Sequence, residues 1–384
     1  MDRKLNVLHL LSWFPTPSDP YSGNFCLKQI QSVSDAVNSV VLSCYLDDQL
    51  EERRRIEVVE YANFKHVYVH VRPTRLGWWN KFLLFSAYHY GFRYIRHHFF
   101  TPDLIHQHVT LPLGRITYLW SRWNELPYVL TEHWTIYQPQ NRDMMTPRTL
   151  RTIRTIANRA KRIMPVSEDL ARNMQGYGIT APFRVIPNVV DTQLFVPGGG
   201  YNDGKKHILH VSTLREDAKN ISGMLRVIAQ LAERRRDFVL DIVHDYPRPD
   251  LEHFVKGNHL EDVVVFHGRK SETEIAEYFG RADFFLLFSN FENLPCVLIE
   301  AFACGLPVVT TNVGGISEIV DESRGRLLPA GNEQQLLVKV EYMLDHHQDY
   351  DHAAIRQYAE EHFSKPVVGK QIAEIYHGVM MVVK

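Results

Sequence analysis

The stretch Phe284-Phe285-Leu286-Leu287-Phe288-Ser289-Asn290-Phe291-Glu292-Asn293-Leu294-Pro295-Cys296-Val297-Leu298-Ile299-Glu300-Ala301-Phe302-Ala303-Cys304-Gly305-Leu306-Pro307-Val308-Val309 decides how this chain reads. The apolar run 284–288 has the pattern of a strand buried on both faces of a parallel sheet. A polar turn follows. A helix then opens near Pro295, where a missing N–H costs nothing because the first N–H groups of a helix have no partner within it. Gly305 ends that helix and Pro307 enters the next strand. Free N–H groups and the dipole at such a helix start favour a phosphate. Glu300 would lie roughly 7–9 Å along the helix from its start. That distance suits a ribose, whose hydroxyls a carboxylate accepts well. Glu292, in the turn, would sit beside a sugar.

Working outward, the same alternation fills the chain. Strands are expected at Val7–Leu11, Ser39–Cys44, Val67–Val71, Leu104–His106, Tyr128–Thr131 and Arg162–Val166, with helical periodicity between them. The run Pro197-Gly198-Gly199-Gly200 is the strongest linker signal. Beyond it the pattern restarts, with strands at His207–Val211, Phe238–Val243, Val263–His267, Phe284–Phe288, Pro307–Thr310 and Gly325–Leu328. Alternating β and α implies doubly wound parallel sheets. The expected organisation is a first domain over 1–190, a linker over 191–203 and a second domain over 204–363. A helix over 364–384, with Ser364 near its start, would pack back on the first domain.

The ordered residues around the central stretch resemble a known family. The pair Glu292 and Glu300 matches the E-x7-E motif of the family 4 glycosyltransferases. The match also takes in Val265-Phe266-His267-Gly268, Glu274-Ile275, Ala282-Asp283, Val313-Gly314-Gly315 and Glu318-Ile319-Val320. An isolated E-x7-E is common by chance; this set of residues in order is specific. It covers the second domain strongly and the first weakly. The resemblance implies the GT-B fold, two Rossmann-like doubly wound parallel-sheet domains facing a central cleft. It implies retaining transfer of a sugar from a nucleotide-diphosphate donor to a hydroxyl of a glycan or lipid-linked glycan, in polysaccharide biosynthesis.

By that resemblance Glu300 binds the nucleotide ribose and Glu292 the sugar hydroxyls, with Gly268, Leu294, Cys296 and Val297 in the donor site. The family carries small glycines after the first glutamate, where Asn293 and Pro295 stand here. Pro295 has no N–H to give, so that contact is lost or moves to Leu294 or Cys296. The family also places an Arg and a Lys six residues apart to neutralise the leaving diphosphate. Lys219 matches the lysine; Thr213 occupies the arginine position, and Arg215 is the substitute two residues on. Such cations stabilise the charge that develops as the diphosphate departs. Gly23, in the loop after the first strand, would let backbone approach donor or acceptor. His133 matches a histidine that faces the donor sugar, with His106 and His108 as rivals. Ser167 reads as a helix cap.

Composition excludes other classes. Net charge is −1 in 384 residues, so there is no global case for nucleic-acid binding. The runs Arg53-Arg54-Arg55 and Arg234-Arg235-Arg236 read as solvated helix faces beside glutamates. The four cysteines show no metal-type spacing, no DxD stands in a suitable loop, and no metal or cofactor is expected. Buried thiols suit a reducing compartment, so the cytoplasm is expected, at the inner face of the membrane if the protein meets one. No GxGxxG follows the first strand, where Ser12-Trp13-Phe14-Pro15 stands, which argues against a dinucleotide oxidoreductase. A nucleotide-sugar epimerase and a non-catalytic sugar-nucleotide binding protein share the scaffold and stay open. The aromatic and basic stretch 78–100 reads first as an amphipathic helix against the sheet, and second as a peripheral membrane contact.

Overall fold

The computed structural model describes residues 3–11, 13–14 and 23–383. It divides into two compact units, Met1–Pro187 with Val368–Lys384, and Asn188–Val367. The first runs β1 (Asn6–Leu11), α1 (Asn24–Val33), β2 (Asn38–Leu46), β3 (Arg54–Glu60), β4 (Phe64–Val71), α2 (Gly77–His98), β5 (Leu104–His108), α3 (Gly114–Trp123), β6 (Tyr128–Glu132), α4 (Pro147–Ala157), β7 (Arg162–Pro165) and α5 (Glu168–Gly176). The second begins with β8 (Lys206–Ser212), α6 (Glu216–Lys219), α7 (Ile221–Ala232), β9 (Phe238–His244), α8 (Pro249–Gly257), β10 (Val264–Gly268) and α9 (Glu272–Arg281). It continues through β11 (Phe284–Leu287), α10 (Cys296–Ala303), β12 (Val308–Thr311), β13 (Gly325–Leu328), α11 (Glu333–His346) and α12 (His352–Phe363). The last helix, α13 (Lys365–Val383), returns the chain to the first unit.

The first sheet has the order β3-β4-β2-β1-β5-β6-β7. All its pairings are parallel except β3 with β4. Strand β1 is buried at every position, which is why it reads as an apolar run. Strand β3 is the edge, and half of it faces water. Arg54 and Arg55 belong to this strand, not to a helix face; charges at an exposed edge hide the two-residue period while discouraging pairing with another chain. The second arginine run also leaves its helix: α7 ends at Ala232. Arg234, Arg235 and Arg236 follow it, bound to Glu341, to Asp237 with Asp345, and to Asp262.

The second sheet, β10-β9-β8-β11-β12-β13, is parallel throughout. The glycine run 197–200, expected as the linker, lies inside this unit, where the Gly198 N–H donates to the Gly280 carbonyl at 2.7 Å. The chain passes between units at Pro187–Asn188 and again at Val367–Val368. Helix α12 fills residues that carried no expected element. In α13, Tyr376 is fully buried and its hydroxyl meets His106 Nδ1 at 2.6 Å.

Both sheets reverse direction beside their first strand. In the first, β1 lies between β2 and β5; in the second, β8 lies between β9 and β11. At such a point the connections from two neighbouring strands run to opposite sides of the sheet, and the gap between them at the carboxyl ends is where ligands bind.

Candidate active site

The loops after β8 and β11 meet at the second crevice. The N–H of Asn290 donates to the Ala218 carbonyl at 2.7 Å, and its side-chain amide to the Asp217 carbonyl at 3.1 Å. Lys219 Nζ donates to Glu292 Oε1, and Ser289 Oγ donates to the same oxygen at 2.7 Å. Thr311, at the end of β12, holds the Ser289 carbonyl at 2.7 Å. The Lys219 and Glu292 side chains are only 17% and 11% exposed. Little water screens this pair, unlike a surface salt bridge.

A glycine sets the height of the loop. Gly314 has φ 55°, and a Cβ there would stand 2.0 Å from the Glu292 carbonyl oxygen. Beside it, the Gly315 N–H donates to the Asn293 carbonyl at 2.7 Å. Only a residue without a side chain lets the two loops press together in this way.

Pro295 is the N-cap of α10, not its first turn, and the first helical residue is Cys296. Leu294 is buried, and its carbonyl accepts from Asn188 Nδ2 at 2.7 Å. Cys296 and Val297 are half-buried, while the helix from Leu298 to Ala303 is buried. The accessible part of α10 is therefore its first turn. Glu300 is buried one turn further on. Burial pushes the Cys304 thiol up to about 12, and the Glu300 charge adds to this.

Two more expected site residues, Arg215 and Gly268, lie at the starts and ends of elements of this unit. Arg215 is the N-cap of α6; its side chain is 65% exposed and bound to Asp217, Nη2 to Oδ2 at 2.5 Å. Gly268 has φ 65° and ends β10, the edge strand two places from β8, with open space around it.

In the first unit, aromatic rings link the surroundings of Gly23 to His133. Gly23 is the N-cap of α1 with φ 67°, and a Cβ there would lie 2.2 Å from the Trp13 carbonyl oxygen. The Trp13 ring meets Phe25 at 6.3 Å and Trp134 at 6.2 Å, both edge-on, and Phe25 lies 4.4 Å from His133. The rest of the loop expected to approach donor or acceptor, 15–22, lies outside the described residues.

His133 is positioned by a residue that sequence reasoning passed over. Glu132 is fully buried at the end of β6. Its Oε1 accepts from the N–H groups of His133 and Trp134, each at 3.0 Å. Its Oε2 accepts from the Thr110 N–H at 3.1 Å, the Thr110 hydroxyl at 2.7 Å and the Tyr137 hydroxyl at 3.2 Å. Burial raises this carboxyl despite those bonds. Thr110 follows Val109, a β-branched residue held at φ 63°, where strain is real. One carboxylate thus fastens the loops after β5 and β6.

The rival histidines belong to the core. His106 and His108 are 1% exposed, their rings stack at 3.9 Å, and burial lowers both well below the ordinary range. Both ring nitrogens of His106 meet hydroxyls, of Tyr376 and of Thr131. His133 is half-buried. Among the described residues, His9, His106 and His108, and separately Cys26, His108 and His133, bring metal-ligating atoms within 4.8 Å of one another. In the first set His9 bonds His108 and Ser39, both nitrogens of His106 are bonded, and His108 Nδ1 is buried with no hydrogen-bond partner among the described residues. Ser167, read as a cap, accepts the Leu170 N–H at 3.1 Å.

Residues 193–362 match the family model described as glycosyl transferases group 1, and residues 37–194 match that of glycosyltransferase family 4. The chain belongs to the family 4-type group 1 glycosyltransferases. A relative in Bacillus anthracis, N-acetyl-alpha-D-glucosaminyl L-malate synthase, is 29% identical over 186 residues. Those residues are 47% of this glycosyltransferase chain and 48% of that relative, so the match spans about half of each. Two solved structures share the fold. Sucrose-phosphate synthase from Thermosynechococcus elongatus superposes with TM-score 0.79 at 17% identity, over 99% of this chain and 100% of that one. Anabaena HepE, in complex with UDP and glucose, gives 0.75 at 19% identity, over 97% and 99%.

Proposed function

We propose that this glycosyltransferase moves a sugar from a nucleotide-diphosphate donor to a hydroxyl of a glycan or lipid-linked glycan, with retention at the anomeric carbon, in polysaccharide or glycoconjugate biosynthesis. The observation that carries the reading is the Lys219–Glu292 pair set beside the accessible first turn of α10, with Glu300 one turn further along. On this reading the diphosphate lies against that first turn at Cys296 and Val297. Lys219 leaves Glu292 for the departing phosphate, and Glu292 turns to the sugar hydroxyls. Glu300 accepts from the ribose. Ser289 keeps one hydrogen bond on Glu292 throughout.

Arg215 and Lys219 must each part from a carboxylate, Asp217 and Glu292, to reach phosphate; Lys219, far less exposed to screening water, carries the larger share of the charge. Gly268 contributes backbone only. In the first unit, His133 hydrogen-bonds the reacting sugar or acceptor hydroxyl, and Gly23 admits the backbone close to it. The reading needs no metal, since Lys219 and the N-terminus of α10 supply the positive charge. It places the protein in the cytoplasm in peripheral contact with the membrane. No described helix is long and apolar enough to cross one.

Among the known structures sharing the fold, HepE holds UDP and glucose, which makes UDP-sugars the first donors to try. The test is incubation of the protein with UDP-, GDP- and ADP-sugars and simple glycosides, with NMR of any product. An α-linked product from an α-configured donor supports the reading; an inverted anomer removes retention from it. Consumption of donor into an epimer without acceptor would instead favour the epimerase.

A further inference from the structure

Helix α2 buries one stripe and leaves another bare. Ala87, Tyr88, Gly91, Phe92 and Ile95 face the sheet. Gly91 packs so closely that a Cβ would stand 2.5 Å from Leu42 Cδ1. At 100° per residue, Trp78, Phe82, His89, Arg93 and Arg96 fall together on the opposite side. Trp78 is 67% exposed, Phe82 54%, Leu76 55% and Trp79 38%. Scattered apolar residues at a surface are ordinary, but four large ones at one helix end are a patch. Their rings lie against one another, Trp78 to Trp79 at 5.4 Å and Trp79 to Phe82 at 5.0 Å.

The tip is held in place. Asn80 Oδ1 accepts from the Thr74 N–H at 2.7 Å and the Thr74 hydroxyl at 2.9 Å, while Asn80 Nδ2 donates to the Thr74 carbonyl at 2.9 Å. The turn before α2 is therefore stapled to the start of the helix, where Trp78, Trp79 and Phe82 are exposed. The charge along this segment of the chain is one-sided. No Asp or Glu occurs between Glu60 and Asp103, while Arg72, Arg75, Lys81, Arg93 and Arg96 do, in a chain whose net charge is −1. From edge strand β3, Arg54 adds a guanidinium over the Tyr90 ring at 4.6 Å and a hydrogen bond to Ser86 at 3.1 Å.

We propose that this face of α2 docks on an anionic bilayer surface, with Leu76, Trp78, Trp79 and Phe82 in the headgroup region and Arg93 and Arg96 against lipid phosphates. Tryptophan favours the membrane–water interface, and basic residues near it are drawn to acidic lipid. The proposal names the surface for the membrane contact in the reading above. Its test uses no donor or acceptor, so failure here leaves the transferase reading standing.

The experiment is flotation with vesicles of phosphatidylcholine and phosphatidylglycerol at about 7:3, beside phosphatidylcholine alone. The intact protein is expected to float with the mixed vesicles at low salt and to be released at high salt. Trp78→Ser/Trp79→Ser/Phe82→Ser should weaken binding by more than about tenfold, and Arg93→Glu/Arg96→Glu by about a hundredfold. Circular dichroism and melting check the variants' fold. Bromine-labelled lipid should quench tryptophan emission of the unaltered protein, which needs no variant. The proposal is overturned by absence of flotation and quenching at low salt, or by a folded triple variant that floats like the parent. It is equally overturned if the parent is a dimer that the triple variant turns into a monomer, with lipid binding unchanged.

Discussion

Lys219 and Glu292, 73 residues apart, share a hydrogen bond that joins the loop after β8 to the loop after β11. A lysine and a glutamate largely withdrawn from water hold each other's charge until a ligand offers better partners. Lys219→Met should leave Glu292 hydrogen-bonded to Ser289 but without its cation, and remove a positive charge from the proposed phosphate site. We expect turnover to fall by about 10²–10³. Glu292→Gln, which keeps the shape, should lower kcat by about 10² while nucleotide affinity changes little. Steady-state kinetics with the best donor would check both; a kcat unchanged in Glu292→Gln contradicts the role given to it.

Gly314 and Gly331 form a matched pair. Both have positive φ, 55° and 72°, but only Gly314 faces a backbone oxygen at 2.0 Å from its would-be Cβ, and Gly331 meets open space. Gly331→Ala should cost about 1 kcal/mol from backbone conformation alone. Gly314→Ala should cost more and also displace the Glu292 loop, so its activity should fall beyond what its melting temperature explains. Equal effects in both variants would show that the contact is unimportant.

Glu132→Gln replaces an acceptor of five hydrogen bonds by a group with donors of its own. An amide nitrogen then faces N–H or hydroxyl groups whichever way it turns. A loss of about 2–4 kcal/mol is expected, from bonds to a charged acceptor that are no longer made. Urea unfolding measures it. Since Glu132 positions His133 and touches no substrate in this account, added osmolyte that restores the fold should restore much of the activity to Glu132→Gln but not to His133→Ala.

Acid should weaken both units. Burial lowers His66 to about 3 and His210 to about 4, from an ordinary 6.5. His210 stays neutral while its Nδ1–H donates to the Leu286 carbonyl at 2.9 Å. Below pH 6.5 the unfolded chain takes up protons that the folded chain refuses. Stability is therefore complete above that pH and is lost as pH falls toward 4 and 3. The slope is at most about 1.4 kcal/mol per pH unit for each histidine. His66→Gln should flatten the dependence between pH 6.5 and 5, measured by urea unfolding at each pH. An unchanged slope would mean that His66 titrates in the fold as it does in water.

The second unit was the more legible part of the sequence. Its central strands are buried, so Phe284–Leu287 stands out as an apolar run, while in the first unit the cap Ser167 announces α5. Strand β3 escaped because Arg54, Arg55, Glu57 and Glu60 mask a half-exposed edge. The glycine run at 197–200 looked like a hinge because sequence cannot show that Gly198 is bound to Gly280. Glu132 gave no signal, since a carboxylate satisfied by backbone N–H groups looks like any other glutamate until the loops are folded. Gly314 was visible within the family match, but its contact with Glu292 was not.

The central claim is that Glu300 and the first turn of α10 hold a nucleotide diphosphate. Calorimetric titration with UDP, GDP and ADP, for the parent protein and Glu300→Ala, tests it most directly. The account predicts selective binding of one nucleotide, weakened by about tenfold or more in Glu300→Ala through loss of the ribose hydrogen bonds. No binding of any nucleotide by the folded parent, or equal binding by Glu300→Ala, would contradict it.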